Sequence, residues 1–499
     1  MPHRLMPQPS YAQLESAFTR LYWYQHLSAL GDWDQAVMMP PAGNEARAAA
    51  MAELDVLIHN TLTDAAMGDR IAAAEQEDLD PARAASLREM RRQWQLATVL
   101  PARLVQERSL AATRCEHAWR DQRRDNDWQG FAVNLRTVID LAREEARLRA
   151  DATGLPPYDA MMDRSEPGAS AARIERAFAE VKQWLPELVR KAMDKQAGEK
   201  TIAARGPFPV ASQRALGAEL MELLGFDFRG GRLDASDHPF CGGVAQDVRI
   251  TTRYQEDDFL QSMMGIIHET GHARYEQNLP RDRVHLPVGQ ARSTAIHESQ
   301  SLSFEMQLAR SPAFLSLIAP MIRKHLGAQE AFEPDNLARM NTRVRPGFIR
   351  VEADELTYPM HVILRFEIER ALIEGAIQVD DVPSLWDEKM QTYLGVDTRG
   401  NYRNGCMQDI HWSISLIGYF PSYTLGAMYA AQYFAAIRSQ HGDLDARIAA
   451  ADLSPVFDWL GANIWSQGSR WTTAELVKRA TGQELNAMHF RFHLERRYL

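Results

Sequence analysis

Apolar residues recur every three to four positions through most of the first two hundred residues, among many arginine, glutamate and alanine residues. This spacing predicts amphipathic α-helices over residues 10–30, 44–66, 81–153 and 170–196. Ser10 is the predicted N-cap of the first helix and Gly31 its predicted end. Pro101 should break or kink the third stretch. We therefore expect long antiparallel helices with solvated polar faces.

The pattern changes between residues 225 and 255, where glycines cluster and polar and apolar residues alternate. Val248 and Ile250 alternate with Asp247 and Arg249, which predicts a short β-hairpin or a small sheet. Helical spacing returns after residue 255 and continues to the end of the chain. Because no fixed repeat and no clear linker divide the sequence, we expect one mainly α-helical unit with a cleft.

A His-Glu-x-x-His pattern lies in the stretch GIIHETGHARYEQ, at His268, Glu269 and His272. A helix here, capped by Asp257 or Asp258, places the two histidines one turn apart on one face, where both can bind one ion. Zn²⁺ suits such imidazoles and lowers the pKa of a coordinated water to about 7. Glu269 is then the predicted general base for that water and the proton donor to the leaving amine.

A third ligand is predicted on the next helix, in AIHESQSLSFE. We choose Glu298 over His297, since neighbours on a helix point about 100° apart and cannot both face one ion. Two histidines and one glutamate leave a coordination position open, as catalytic rather than structural zinc sites do. Glu276 and Glu305 are candidates for carboxylates that support the ligands from behind.

Composition narrows the possible partners of this 499-residue chain. A net charge of −10 and a pI near 5.9 give no reason to expect binding to nucleic acid or to anionic membranes. The N-terminal sequence MPHRLMPQPSYAQLESAF lacks the apolar core of a secretory signal, and no apolar run is long enough to span a membrane. Three scattered cysteines do not indicate a disulfide framework. We therefore expect a cytoplasmic protein.

Six motifs together point to a family. They are HPF at 238–240, DVRIT at 247–251, HETGH at 268–272, HESQ at 297–300, IRVEAD at 349–354 and GCMQDIHW at 405–412. In order and spacing this set resembles the signature of the carboxypeptidase Taq family of metallocarboxypeptidases. GDWDQAVMMPP near the N-terminus and GYFPSYTLGAMYAAQ at 418–432 are also similar to that family, so the resemblance covers nearly the whole chain.

The resemblance implies a zinc-peptidase-like (gluzincin) helical fold with a deep cleft and the metal at its base. It implies that residues 1–200 form a helical lid or cleft wall, 225–255 a small β element and 256–499 the helical catalytic part. It further implies a homodimer that removes single amino acids from peptide C-termini, with broad specificity and poor activity at proline. Members of the family use Zn²⁺, and some use Co²⁺.

The substrate's terminal carboxylate needs a cationic partner, and the planar fork of arginine suits it. Arg350 in IRVEAD is the first candidate, with Asp354 one helical turn further on to orient it. Arg249 in DVRIT is the second, although it could instead hold the cleft wall in shape. His238 in HPF could line the carboxylate pocket or stabilise a turn. Pro359 should kink the helix that continues from IRVEAD.

The tetrahedral intermediate needs hydrogen-bond donors for its oxyanion. His411 and Tyr423 are the candidates, with Tyr419 as the alternative to Tyr423. A structural hydrogen bond is the competing interpretation for each. Gln408 and Asp409 are expected to position His411 or a peptide backbone, and Gln408 is counted among the predicted substrate-binding residues.

Two other functions fit parts of the sequence. A zinc oligopeptidase or endopeptidase would share every metal-site residue and would differ in the cap on its cleft and in the carboxylate-binding arginines. A helical scaffold protein with an inactive metal site is a different class, and the intact Glu269 argues against it because a binding protein needs no general base.

Overall fold

The computed structural model describes residues 9–499. The first eight residues, which begin the stretch in which we expected no secretory signal, lie outside the described residues. The α-helices are α1 Ser10–Val37, α2 Asn44–Leu62, α3 Ala65–Ala74, α4 Pro81–Thr98, α5 Ala102–Arg124, α6 Trp128–Thr153, α7 Pro157–Met162, α8 Ala171–Gln196, α9 Val210–Leu223, α10 Phe259–Gln277, α11 Thr294–Leu302, α12 Pro312–Leu326, α13 Pro334–Asn341, α14 Tyr358–Glu374, α15 Val382–Leu394, α16 Pro421–Gln440, α17 Leu444–Ala449, α18 Ser454–Asn463, α19 Thr473–Thr481 and α20 Ala487–Tyr498.

The predicted mainly α-helical fold is confirmed, and Pro101 separates α4 from α5 as expected. The boundaries of α1 were predicted wrongly. Pro9, not Ser10, occupies the N-cap, and the helix continues through Gly31. Gly31 faces α2, where a Cβ would lie 2.3 Å from the sulfur of Met51. This glycine therefore allows two helices to approach each other and does not end one.

A three-stranded sheet fills the predicted β region. Its strands are β1 Gly231–Ala235, β2 Phe240–Val244 and β3 Asp247–Thr252, in the order β1-β3-β2. The strands β2 and β3 form an antiparallel hairpin, and β1 pairs with β3 in parallel. Val248 and Ile250 of β3 are buried against Ile266 and Ala273 of α10. The sheet therefore packs on the helix that carries the His-Glu-x-x-His pattern.

Buried apolar side chains form a large core and two smaller clusters. The large core joins α6–α8 to the helices that follow α10 and includes Phe178, Phe366 and Tyr433. A second cluster ties α1, α3 and α4 to the segment before α11 through Leu286 and Val288. The N-terminal helices are thus anchored beside the α10–α11 connection. Within residues 9–499, no helix combines the length and hydropathy needed to cross a lipid bilayer.

Candidate metal centre

Two helices bring together the three predicted ligands. His268 and His272 project from α10 and Glu298 from α11, and one potential ligand atom from each lies within 4.8 Å of the others. Oε2 of Glu298 is 3.9 Å from Nε2 of His268 and 3.5 Å from Nε2 of His272. Ligands at Zn–N and Zn–O distances in tetrahedral geometry lie about 3.3 Å apart. The three atoms can therefore hold one small divalent ion.

Two glycines allow these ligands to meet. A Cβ at Gly271 of α10 would lie 2.5 Å from the carbonyl oxygen of Gln300, so only glycine permits α11 to lie this close to α10. A Cβ at Gly426 of α16 would lie 2.7 Å from Cγ of Glu298. Glu298 is therefore held between the histidine helix on one side and the backbone of α16 on the other.

The first histidine is oriented by a carboxylate from behind. Nδ1 of His268 lies 2.9 Å from Oε2 of Glu305, and the other oxygen of Glu305 accepts a hydrogen bond from Arg310 at 2.7 Å. Glu305 lies in a π-helix, Ser303–Ala309, that continues α11. Such π-helical turns are frequent at functional sites. With Nδ1 engaged, His268 presents Nε2 to the ion.

The second histidine is supported by a chain of two groups. Nδ1 of His272 lies 2.6 Å from Nδ1 of His297, and Nε2 of His297 lies 2.8 Å from Glu276. When Nε2 of His272 binds a metal, its Nδ1–H donates to His297, whose own proton must then lie on Nε2 and point to Glu276. His297 thus contacts the ring of a predicted ligand, His272, and joins it to Glu276.

The ligand cluster carries an excess of negative charge. Burial opposes protonation of His268, but the hydrogen bond that it donates to Glu305 and the charge of Glu298 raise its pKa to about 10. Burial also opposes ionisation of Glu305, yet the charge of Arg310 and the bond to His268 hold its pKa at about 2. The carboxylates therefore favour a positive charge at His268, whereas burial lowers the pKa of His272 to about 4 and keeps that imidazole neutral, the form that binds a metal.

Glu269, the predicted general base, is buried beside the predicted metal ligands. It is 8% exposed, and burial raises its pKa to about 7. It lines a cavity of about 650 Å³ together with His272 and Glu298. The other residues of this cavity are Arg92, Arg164, Ser165, Pro167, Pro239, Phe240, Cys241, Ala291, Arg292, Ser293, Thr294, His297, Tyr419 and Tyr423. The metal centre therefore opens into the cleft that the fold class predicts.

The two predicted oxyanion donors lie next to each other. Nε2 of His411 is 3.3 Å from the hydroxyl of Tyr423, and the His411 ring packs on Phe420 with centroids 4.4 Å apart. Burial lowers the pKa of His411 to about 4 and raises that of Tyr423. Tyr423 and Tyr419 both line the cavity. These tyrosines therefore carry neutral hydroxyl groups at the side of the cleft.

Arg350 lies directly behind this group. It is 6% exposed, and its guanidinium carbon lies 5.0 Å from the centroid of the Tyr423 ring. Its Nε and Nη2 donate to one oxygen of Asp409, and its Nη1 donates to the hydroxyl of Tyr358 at 2.8 Å. Asp409 also accepts from Arg365, so two arginines share one carboxylate.

The predicted Arg350–Asp354 pair does not form. Residues Arg350–Glu352 are a single 3₁₀ turn rather than part of a helix, and Asp354 accepts hydrogen bonds from the backbone N–H groups of Leu356 and Thr357. The residue that orients Arg350 is therefore Asp409. Pro359 lies in the first turn of α14, where its missing N–H is tolerated, so the expected kink was also wrong.

Comparisons with known proteins all indicate one family. A sequence profile of the family described as carboxypeptidase Taq (M32) metallopeptidase matches residues 13–498. The chain is 38% identical to thermostable carboxypeptidase 1 of Thermus thermophilus, and the match covers 99% of each of the two chains. It is 33% identical to carboxypeptidase 1 of Bacillus subtilis, and that match covers 96% of each chain. The structure of Trypanosoma cruzi metallocarboxypeptidase 1 superposes with a TM-score of 0.96 at 47% identity, covering 98% of this chain and 99% of that one.

The chain belongs to the carboxypeptidase Taq (M32) family. It is therefore a metallocarboxypeptidase of the helical M32 fold, and the family resemblance drawn from the six motifs is confirmed. This holds for the whole described chain, because the relatives match it almost from end to end.

Gln408, Arg249 and His238, which were predicted to bind substrate, are not among the residues that line the cavity of this M32 chain. The amide of Gln408 accepts from the backbone N–H of Arg350 and donates to the carbonyl of Phe348, so it fixes the Arg350 turn. The guanidinium of Arg249 forms two bonds to Asp247 and stacks on Trp33 of α1. These contacts agree with the alternative role of Arg249 in shaping the wall.

His238 is exposed, and its carbonyl oxygen accepts a hydrogen bond from the hydroxyl of Ser236. This contact involves the backbone of the turn and assigns no role to the imidazole. Its neighbours Pro239 and Phe240 line the cavity in its place.

Several residues at or near the candidate centre were not predicted from the sequence. Gly271 and Gly426 carry no chemistry, and nothing in one sequence shows which helix faces them. The arginines Arg92, Arg164 and Arg292 line the cavity, although they lie in three separate segments. One signal was available for Gly271: a glycine between the two histidines of a helix is costly unless the backbone needs its space.

Proposed function

We propose that this M32 chain releases single amino acids from the C-terminus of peptides by zinc-dependent hydrolysis. The observation that carries the proposal is the arrangement of His268, His272 and Glu298 beside Glu269 at one end of an arginine-backed cavity. Broad specificity and poor activity at proline are part of the proposal. Proline is disfavoured because its nitrogen carries no N–H and its ring constrains the scissile bond.

Zn²⁺ is the ion that this donor set favours. Two imidazole nitrogens and one carboxylate oxygen, each supported by a second group, are typical ligands of catalytic zinc, and Co²⁺ accepts the same set. When bound, such an ion supplies a Lewis acid that makes a neighbouring water more acidic and polarises a carbonyl. Every other part of the reaction falls to the side chains of this chain.

Glu269 accepts the proton of the attacking water and later donates it to the nitrogen of the departing amino acid. A pKa raised to about 7 by burial matches both steps, because the group can both take and give a proton near neutral pH. The buried position also keeps bulk water away from the carboxylate. We assign the general acid and base roles to this residue.

Tyr423 and His411 donate hydrogen bonds to the oxyanion. The hydroxyl of Tyr423 keeps its proton because burial raises its pKa, and it lies on the cavity surface. His411 is neutral because burial lowers its pKa to about 4, and its Nε2 contacts the Tyr423 hydroxyl. Tyr419 lines the same cavity and remains the alternative donor.

Arg350 binds the terminal carboxylate of the peptide. A guanidinium has five N–H bonds, and three of those on Arg350 are engaged by Asp409 and Tyr358. We assign the remaining two to the terminal carboxylate. Sharing Asp409 with Arg365 leaves a net positive charge at this point, which favours a carboxylate over an amide.

The proposal also covers the location of the protein and its assembly. Cys115, Cys241 and Cys406 are all free, which supports a reducing compartment such as the cytoplasm. Homodimer formation follows from the family resemblance alone. Peptides are the proposed partners, and the net charge of −10 gives no support for nucleic acid as a partner.

Two peptides of one sequence test the proposed activity. One carries a free C-terminal carboxylate and the other a C-terminal amide, and mass spectrometry follows both after incubation with Zn²⁺ or Co²⁺. We expect a ladder of single losses from the free acid alone, which stops when proline becomes the last residue. Internal cuts in both peptides would contradict the exopeptidase assignment while keeping a hydrolytic metal centre.

A further inference from the structure

Three arginines line the same cavity as the metal ligands. Arg92 lies on α4, Arg164 in the segment that follows α7, and Arg292 just before α11. We refer to Arg92, Arg164 and Arg292 as the arginine wall. None of them belongs to the six family motifs in the sequence, and none takes part in the proposed reaction.

Glu89 is the carboxylate that forms ion pairs with Arg92 and Arg292. Oε1 of Glu89 accepts from Nη1 of Arg292 at 2.7 Å and from Nε of Arg88 at 3.2 Å, and its Oε2 accepts from Nε of Arg92 at 2.9 Å. Glu89 and Arg292 are both buried. Three guanidinium groups therefore meet a single negative charge.

Arg164 is even less neutralised. Its nearest carboxylate oxygen, Oε1 of Glu145, is 3.6 Å away and already accepts a hydrogen bond from Arg149 at 2.7 Å. The other oxygen of Glu145 lies 2.8 Å from Arg108. Nη1 of Arg164 is buried and has no hydrogen-bond partner anywhere in residues 9–499. Burial lowers the pKa of Arg164; the charge of Glu145 opposes this shift, and the charge of Arg149 adds to it.

The wall is thus a positive surface in an acidic protein. Glu89 and Glu145 each form ion pairs with three arginines, so positive charge exceeds negative charge in both clusters, whereas the whole chain has a net charge of −10. The carboxylates of the cavity lining, Glu269 and Glu298, belong to the metal centre. Desolvated guanidinium groups with free N–H bonds bind carboxylates strongly.

We propose that Arg164 and Arg92 form an anion subsite for an acidic side chain of the peptide, on the amino-terminal side of the scissile bond. The assignment of side rests on the proposed function. Arg350 accounts for the terminal carboxylate, and the released residue lies between Arg350 and the metal centre. The rest of the cavity is therefore left to the upstream residues, and its volume of about 650 Å³ suits a ligand of several residues.

Matched peptides test the subsite on the unmodified protein. Each pair differs only by glutamate or glutamine, placed two, three or four residues from the C-terminus. We expect kcat/KM to favour glutamate by about fivefold at one of these positions and to lose this preference as salt is raised. Equal rates for both members of every pair would overturn the subsite but leave the carboxypeptidase activity intact. A preference for glutamate only as the released residue would also overturn it.

Single substitutions assign the effect to the wall. Arg164→Gln should abolish the preference, so that the glutamate and glutamine peptides are cleaved with equal kcat/KM by this variant. Arg92→Gln should weaken the same preference, so the result does not depend on one variant folding. Arg229→Gln is the matched control, because it removes the same charge from a residue whose side chain is 91% exposed. A preference that survives both wall substitutions contradicts the proposal.

Failure of the proposed function gives a different result. If the wild-type protein with added Zn²⁺ or Co²⁺ removes no residue from any of these free-acid peptides, the carboxypeptidase assignment fails and the subsite fails with it.

Discussion

The backbone of α16 at Gly426 lies against the side chain of Glu298. Glu298 is the carboxylate of the proposed metal centre, whose other two ligands are histidines. A Cβ at position 426 would lie 2.7 Å from Cγ and 2.8 Å from Cβ of Glu298. Real Cβ atoms do not approach this closely, so any side chain at position 426 must displace the ligand. A residue without chemistry of its own thus fixes the third corner of the metal centre.

Gly426→Ala should weaken metal binding without unfolding the protein. The added methyl pushes Glu298 away from His272, and disturbed support of a ligand typically costs 10- to 100-fold in metal affinity. Competition with a chromogenic chelator measures the affinity for Zn²⁺. Gly461→Ala in α18 is the control, since its Cβ would meet Trp465 at an ordinary 3.6 Å. Equal affinities in the two variants would show that α16 does not position Glu298.

His297 should matter for the metal although it does not bind it. His297→Leu removes the acceptor of the His272 Nδ1–H and leaves that proton buried without a partner, so we expect Zn²⁺ affinity to fall by about 10- to 100-fold. His297→Asn places an amide oxygen near the position of the lost ring nitrogen and should lose less. The same chelator competition separates the two variants. Unchanged affinity in His297→Leu would exclude a supporting role.

Arg350 should determine the preference for a free carboxylate. Arg350→Ala removes the charge that favours the terminal carboxylate, so we expect the ratio of kcat/KM for free-acid and amidated peptides to fall by about 100-fold. Arg350→Lys keeps the charge but not the forked geometry and should lie between. An equal loss on both peptides would mean that the arginine only holds Asp409 and Tyr358 in place.

Glu369 should make the fold less stable as the pH rises. Burial raises its pKa from 4.5 to about 7, although Tyr158, Trp412 and the backbone N–H of Gly418 donate hydrogen bonds to it. The folded protein keeps a proton that the unfolded chain loses near pH 4.5. The protonated group therefore contributes about 3 kcal/mol to the free energy of unfolding. This contribution is complete below pH 4.5 and is lost as the pH rises to about 7.

Thermal unfolding of metal-free protein between pH 5 and 7.5 measures this effect. Glu369→Gln stays neutral throughout, so its Tm should fall less with rising pH than the Tm of the wild type. Glu374→Gln, at the exposed end of the same helix, should follow the wild type. Parallel pH profiles for Glu369→Gln and the wild type would refute a raised pKa.

Local patterns in the sequence account for most of the helices and for the proposed ligands on α10. Helical periodicity and a cap at Asp258, one of two expected positions, locate the start of that helix, and a turn of helix places His268 beside His272. Glu298 was predicted because a His₂Glu centre needs a carboxylate from a second helix. The pairing of His268 with His272 depends on one helix and its own face, which a local pattern can show.

Contacts between distant segments were beyond such patterns. Asp354 was preferred as the partner of Arg350 because a helix was assumed there, whereas the single turn at Arg350–Glu352 directs the guanidinium to Asp409 instead. The supporting role of His297 and the arginine wall depend on how helices far apart in sequence pack together. No periodicity within one segment reports that packing.

Glu269→Gln tests the central claim most directly. In one experiment, the variant is loaded with Zn²⁺, its metal content is measured, and the turnover of a free-acid peptide is followed. If Glu269 is the general acid and base beside a metal held by His268, His272 and Glu298, the variant will bind one ion per chain like the wild type and lose at least about a thousandfold in kcat. Turnover within tenfold of the wild type, with the metal bound, would contradict the proposed mechanism.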